Sequence, residues 1–91
     1  MILKNLKYFV ALSKNAHFRR AALECNISQP ALSSAIKQLE DEFQVPLVRR
    51  GQKFQGLTPE GKKVLEWSER IITDTEAMHQ EVSKLRKILE G

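Results

Sequence analysis

The sequence predicts a mainly α-helical fold: a winged helix-turn-helix of three helices and a short two-stranded wing, followed by a long linker or dimerisation helix. Three observations carry that expectation. Residues Asn26 to Glu42, NISQPALSSAIKQLEDE, read as a tight turn leading into a capped amphipathic helix. A basic stretch with glycine at or beside each end of its loop follows, as in a hairpin. From Thr58-Pro59-Glu60 the chain then runs about thirty residues without another proline, under one continuous apolar pattern.

The elements follow in order. The first helix is expected from about Asn5 to Lys14, with Leu6, Phe9, Val10 and Ser13 on its inward stripe. The second covers roughly Phe18 to Cys25 and buries Phe18, Ala21, Ala22 and Cys25; paired alanines let two helices approach closely. Asn26 and Ile27 form the turn, with Ile27 directed at the core. Ser28 is a good N-cap, and Pro30 lies in the first turn, where its missing N–H costs nothing. The third helix extends to about Phe43. Leu32, Ala35, Ile36, Leu39 and Phe43 share one stripe, and Pro30, Ser33, Ser34 and Lys37 project from the other side. A surface helix normally carries long charged side chains there. Small polar residues instead allow a backbone to come close and hydrogen-bond.

Val45-Pro46-Leu47 ends that helix, because the residue before a proline disfavours helical geometry. Two strands are expected near Leu47–Arg50 and Gly56–Thr58, enclosing a loop over residues 51–55. Thr58 caps the last helix, with Pro59 at its first position and Glu60 in its first turn. Val64, Ser68, Ile71, Thr75, Met78, Val82, Leu85 and Leu89 follow steps of four and three, a heptad seam that Leu65, Trp67, Ile72 and Ile88 widen. One small domain cannot cover so long a stripe, so this helix is expected to pack on a second copy of itself. Trp67 is assigned to that interface with the seam residues. The division is therefore residues 1–58 as the winged domain and 59–91 as the linker helix.

Ninety-one residues make one small domain. No apolar run is long enough to span a bilayer, the start MILKNLKYF is no signal peptide, and the lone Cys25 cannot form an internal disulfide. A cytoplasmic location fits. Charge is uneven: residues 1–59 hold nine Lys or Arg against four acids, while residues 60–91 hold six against seven. Arg19, Arg20, Lys37, Arg49, Arg50 and Lys53 are left little opposed, the footprint of a polyanion binder. Catalysis has almost no support. His17 and His79 lie far apart, neither at a metal-ligand or triad spacing, and no glycine-rich phosphate loop follows a strand. No enzyme activity, metal or cofactor is expected, and Cys25 reads as core.

With these residues in view, the chain resembles the N-terminal DNA-binding part of LysR-type bacterial transcriptional regulators over essentially its whole length. Leu6 and Phe9 match the opening helix, and Phe18, Ala21 and Ala22 the second. Ser28-Gln29-Pro30-Ala31-Leu32-Ser33, then Ile36, Lys37, Leu39 and Glu40, match the recognition helix. Leu47, Arg50, Leu57, Thr58 and Gly61 match the passage through the wing into the linker helix. His17 stands where a capping Ser or Thr is usual, Cys25 at a usual leucine, Gln44 at a usual glycine and Val48 at a usual phenylalanine. The resemblance implies a nucleoid-associated regulator that binds double-stranded operator DNA as a homodimer. It also implies a larger effector-sensing domain absent here, which makes the chain a fragment and leaves higher oligomers open to the full-length protein.

If the third helix enters the major groove, its first turns reach base edges. Gln29 pairs with an adenine or bonds a phosphate, Pro30 meets a thymine methyl, and Ser28, Ser33 and Ser34 hydrogen-bond nearby. Lys37 grips a phosphate. Arg50 and Lys53 reach the backbone or the adjacent minor groove, and Arg19 and Arg20 are phosphate candidates at the start of the second helix. The plainer alternative is a set of solvated surface residues on a winged-helix module that binds proteins rather than DNA.

Overall fold

A computed structural model describes residues 2–51 and 53–90 as four helices and one hairpin. In order these are α1 (Leu3–Asn15), α2 (Phe18–Cys25), α3 (Gln29–Phe43), β1 (Val48–Arg50), β2 (Phe54–Leu57) and α4 (Pro59–Glu90). Val48 pairs with Leu57 and Arg50 with Phe54 in an antiparallel ribbon, so β2 carries one residue more than β1 between the same partners. Gly56, at φ 100°, supplies the backbone freedom that such a bulge uses. The winged helix-turn-helix expected from sequence is the fold.

The core lies where α1, α2 and α3 meet under the root of the wing. Phe9, Leu12, Ala21, Leu32, Ile36, Leu39 and Leu47 are its most enclosed members. α1 differs from its expected single stripe. Leu6 and Phe9 are buried as expected, but Ala11 and Leu12 are buried too, while Val10 and Ser13 are only half-covered. α1 packs against all three other helices, so more than one of its faces is taken. Phe43, expected on the α3 stripe, is 40% exposed at the rim of the fold.

Each of the first three helices ends on a left-handed residue that is not glycine: Ala16, Asn26 and Gln44. The N–H of each donates back into its helix, as in Gln44 to the Glu40 carbonyl at 2.8 Å. Gln44 occupies its position with the side-chain amide donating to the Asp41 carbonyl. The strands are offset from expectation, since Phe54 belongs to β2 rather than to the loop. Its ring meets Phe18 edge-on at 6.1 Å, which seats the wing against the start of α2. Gln52, expected in the loop, lies outside the described residues.

α4 is 32 residues long, about 48 Å at 1.5 Å per residue. Its first four turns or so complete the winged body by covering α1, and the remainder extends beyond it. That accounts for the overall dimensions of 56 × 24 × 19 Å. No described helix is long and apolar enough to cross a membrane.

Candidate nucleic-acid interface

The first turns of α3 are set by their caps. Ser28 has extended backbone angles, and its hydroxyl accepts from the Ala31 N–H at 3.2 Å. Pro30 follows in the first turn. Leu32, Ala35, Ile36 and Leu39 anchor the inner face, which leaves Ser28, Gln29, Pro30, Ser34 and Lys37 exposed. Ser33 is half-buried. At about 100° per residue it falls roughly 60° from Ile36, so it sits on the shoulder of the apolar stripe rather than opposite it. The outermost ridge is Pro30, Ser34 and Lys37.

Electrostatics around this ridge divide the expected cations. Lys37 pairs with Asp41 one turn on at 3.5 Å, with both side chains largely in solvent, a weak contact that a phosphate can displace. Arg50 is bound to Glu40, Nη2 to Oε1, at 2.9 Å. Lys53 is exposed in the loop between the strands, and Arg19 and Arg20 are exposed in the first turn of α2. The Phe18–Phe54 contact brings the start of α2 and the base of that loop together, and with them Arg19 and Lys53 as sequence neighbours of the two rings.

His17 caps α2 itself. Its Nδ1 accepts from the Arg20 N–H at 3.2 Å, so the imidazole takes the place of the usual hydroxyl. His17→Ala is expected to lower stability by about 0.5–2 kcal/mol and His17→Ser to retain most of it, as read from denaturant midpoints. A melt unchanged in the alanine variant would contradict the capping role.

Three contacts at the wing's root went unread in the sequence. Glu40, matched only as a family position, turns inward to the start of β1: its Oε2 accepts from the N–H groups of Leu47 at 2.8 Å and Val48 at 3.3 Å. Thr58 caps α4 by accepting from the Gly61 N–H at 3.0 Å, as expected, and also donates its hydroxyl to the Pro46 carbonyl at 2.7 Å. Gly61 lies directly against the Leu47 carbonyl. A glycine in the first turn of a helix was the readable sign of that close approach.

The seam on α4 is split by the fold. Ser68 is 1% exposed and donates to the Val64 carbonyl within the helix, so it lies beneath the surface rather than on an interface. Val64 and Ile71 are half-buried beside it, as is Thr75 a turn further on. Leu6, Phe43, Val45, Val64, Trp67 and Ile71 line an apolar hollow of about 480 Å³. Trp67 stands at that hollow half in solvent, with the Arg70 guanidinium 4.6 Å from its ring centre. Met78, Val82, Leu85 and Leu89 on the distal half are exposed, the last to 87%. Leu23 is likewise exposed on α2.

Burial, and secondarily the Glu24 carboxylate, raise the Cys25 pKa above its ordinary value, which favours the protonated thiol. Among the described residues no group of His, Cys, Asp and Glu is placed to hold a metal.

A family model for bacterial regulatory helix-turn-helix proteins of the lysR family matches residues 3–62. The chain is 40% identical over 89 residues to the SDS degradation transcriptional activation protein of a Pseudomonas species, covering 98% of this chain and 29% of the relative. It is 35% identical over its whole length to the hydrogen peroxide-inducible genes activator of Haemophilus influenzae, of which it covers 30%. The chain thus spans less than a third of the length of these relatives. Among solved structures, the BenM_DBD/catB site 1 DNA complex superposes with a TM-score of 0.90 at 31% identity, covering 96% of this chain and 94% of that one.

Proposed function

The chain belongs to the lysR family of bacterial regulatory helix-turn-helix proteins, and from that membership we propose that it binds double-stranded DNA sequence-specifically as a two-fold dimer. The observation that carries the reading is the outer face of the first two turns of α3, exposed, capped and without a charged side chain before Lys37. Such a ridge suits a major groove, where short polar groups reach base edges that long solvated ones would be held away from. The similarity to a DNA-binding domain solved on DNA supports it. Residues 1–58 form the reading head and residues 59–91 the linker, whose first turns also serve as part of the head's core.

Within that reading Gln29, Pro30 and Ser34 face the bases, with Ser28 and Ser33 at the margin. Lys37, Lys53, Arg19 and Arg20 set register on phosphates. Dimerisation uses the two unmatched apolar surfaces of α4. The hollow beside Trp67 lies at one end and the stripe from Met78 to Leu89 at the other, so antiparallel pairing of two copies lets each fill the other's. Two heads held this way read half-sites about one helical turn apart, or a multiple of that. The same reading places the work of the chain on the nucleoid in the cytoplasm.

The test is a titration of a duplex selected by the protein from a random pool, against a scrambled duplex, at several salt concentrations. If each subunit neutralises about four phosphates, the logarithm of affinity falls with that of salt at a slope near −7. Gln29→Ala is expected to cost about 1–3 kcal/mol on the selected duplex and to relax one base position. Equal losses on both duplexes would remove Gln29 from base reading, and a flat salt response would remove the electrostatic part of the proposal.

A further inference from the structure

Glu40 has a side chain only 11% exposed, whereas its neighbours Asp41 and Glu42 are in solvent. Both of its oxygens are occupied. Oε2 accepts from the N–H groups of Leu47 and Val48, at 2.8 and 3.3 Å, and Oε1 accepts from the Arg50 guanidinium at 2.9 Å. A carboxylate in the last turn of α3 thereby holds the first residues of the wing and a side chain further along the same strand. Charge-assisted bonds are stronger than neutral ones, and the two from the backbone N–H groups are part-buried while that from Arg50 is reached by solvent. From the other side, Thr58 donates its N–H to the Leu47 carbonyl at 3.0 Å and its hydroxyl to the Pro46 carbonyl. The peptide groups of residues 46–48 are therefore held between the end of α3 and the start of α4.

We propose that Glu40 is a positioning residue for DNA binding: by holding the wing's root and Arg50 it fixes the angle at which the wing meets the duplex, and Arg50 acts through Glu40 rather than on a phosphate. This role rests on the DNA-binding reading above. It reverses two simple expectations. Removing an acid from a basic DNA-binding surface strengthens binding by charge alone, yet loss of Glu40 weakens it on the selected duplex. Losing an arginine that touches phosphate lowers the salt slope, yet loss of Arg50 leaves the slope where it was.

The 91-residue chain and its Glu40→Gln, Arg50→Gln and Lys53→Gln variants decide the matter, on the duplex the parent selects from a random pool and on a scrambled one. Glu40→Gln is expected to weaken the selected duplex about tenfold while leaving the scrambled one equal or tighter. Arg50→Gln weakens the selected duplex at the parent's slope, and Lys53→Gln lowers the slope by about 0.9 per subunit. In the free protein, amide exchange over residues 47–50 and 54–57 quickens about tenfold in Glu40→Gln while α1 and α2 keep the parent's rates. Tighter selected binding by Glu40→Gln, a slope loss in Arg50→Gln equal to that of Lys53→Gln, or unchanged exchange in the wing each overturns the proposal. Those results leave sequence-specific binding by the parent intact. A parent that selects no duplex removes the DNA reading first and this role with it.

Discussion

Gly61→Ala is expected to destabilise the chain by about 3 kcal/mol or more and to lower its melting temperature by at least about 12 °C. The sign is not obvious, since alanine in a helix is favoured over glycine by about 1 kcal/mol. Sterics decide it. A Cβ at residue 61 would land on the Leu47 carbonyl oxygen and within 2.9 Å of its carbonyl carbon. That carbonyl cannot swing aside, because it accepts from the Thr58 N–H while the Leu47 N–H is held by Glu40. Either the start of α4 moves or the wing's root does, and both break hydrogen bonds that close the core. Gly56→Ala is the comparison: nothing lies within 4 Å of an added Cβ, so only its φ of 100° is unfavourable, at about 1–3 kcal/mol. Thermal melts of the two variants side by side check this. A Gly61→Ala protein melting within a few degrees of its parent would mean the junction yields more easily than the packing implies.

The second large effect is on association. Val82→Asp is expected to leave the folded body unchanged, since Val82 is 60% exposed and lies beyond the part of α4 that covers α1. In an antiparallel two-fold pair the same change enters the interface twice. Two carboxylates brought into an apolar contact without partners cost several kcal/mol, so dimer dissociation should rise about a hundredfold or more. Sedimentation equilibrium across protein concentration reads the shift directly. Leu23→Asp, at 71% somewhat more exposed but on α2, should not change association at all. A Val82→Asp chain that pairs as tightly as its parent would move the interface off α4.

Local signals in the sequence placed most of the backbone. α2 was bounded to the residue, and Ser28, Pro30, Thr58 and Pro59 marked the starts of α3 and α4, because capping and proline chemistry act within a turn. What escaped was decided by partners distant along the chain. Leu12 reads as an ordinary helix position until α1 is seen covered from several sides. Ser33 passes for an outward residue until the depth of Ile36 defines where the core ends. Arg50 looks like a free cation because its partner, Glu40, lies ten residues away on another element. The seam on α4 is continuous in sequence, yet its near half is used at home and its far half is not, a difference that periodicity alone does not encode. The candidate interface was legible as a set of residues on α3; how the wing is held was not.

One consequence of the joint at Gly61 is mechanical. The rod of about 48 Å is seated there and along its first four turns or so on α1, and a ten-degree change in that seating would carry its tip roughly 8 Å sideways. Two such rods laid against each other would multiply any looseness into uncertainty about how far apart the heads stand. In the pair proposed above, the firmness of that seating sets the gauge of the track the two heads straddle.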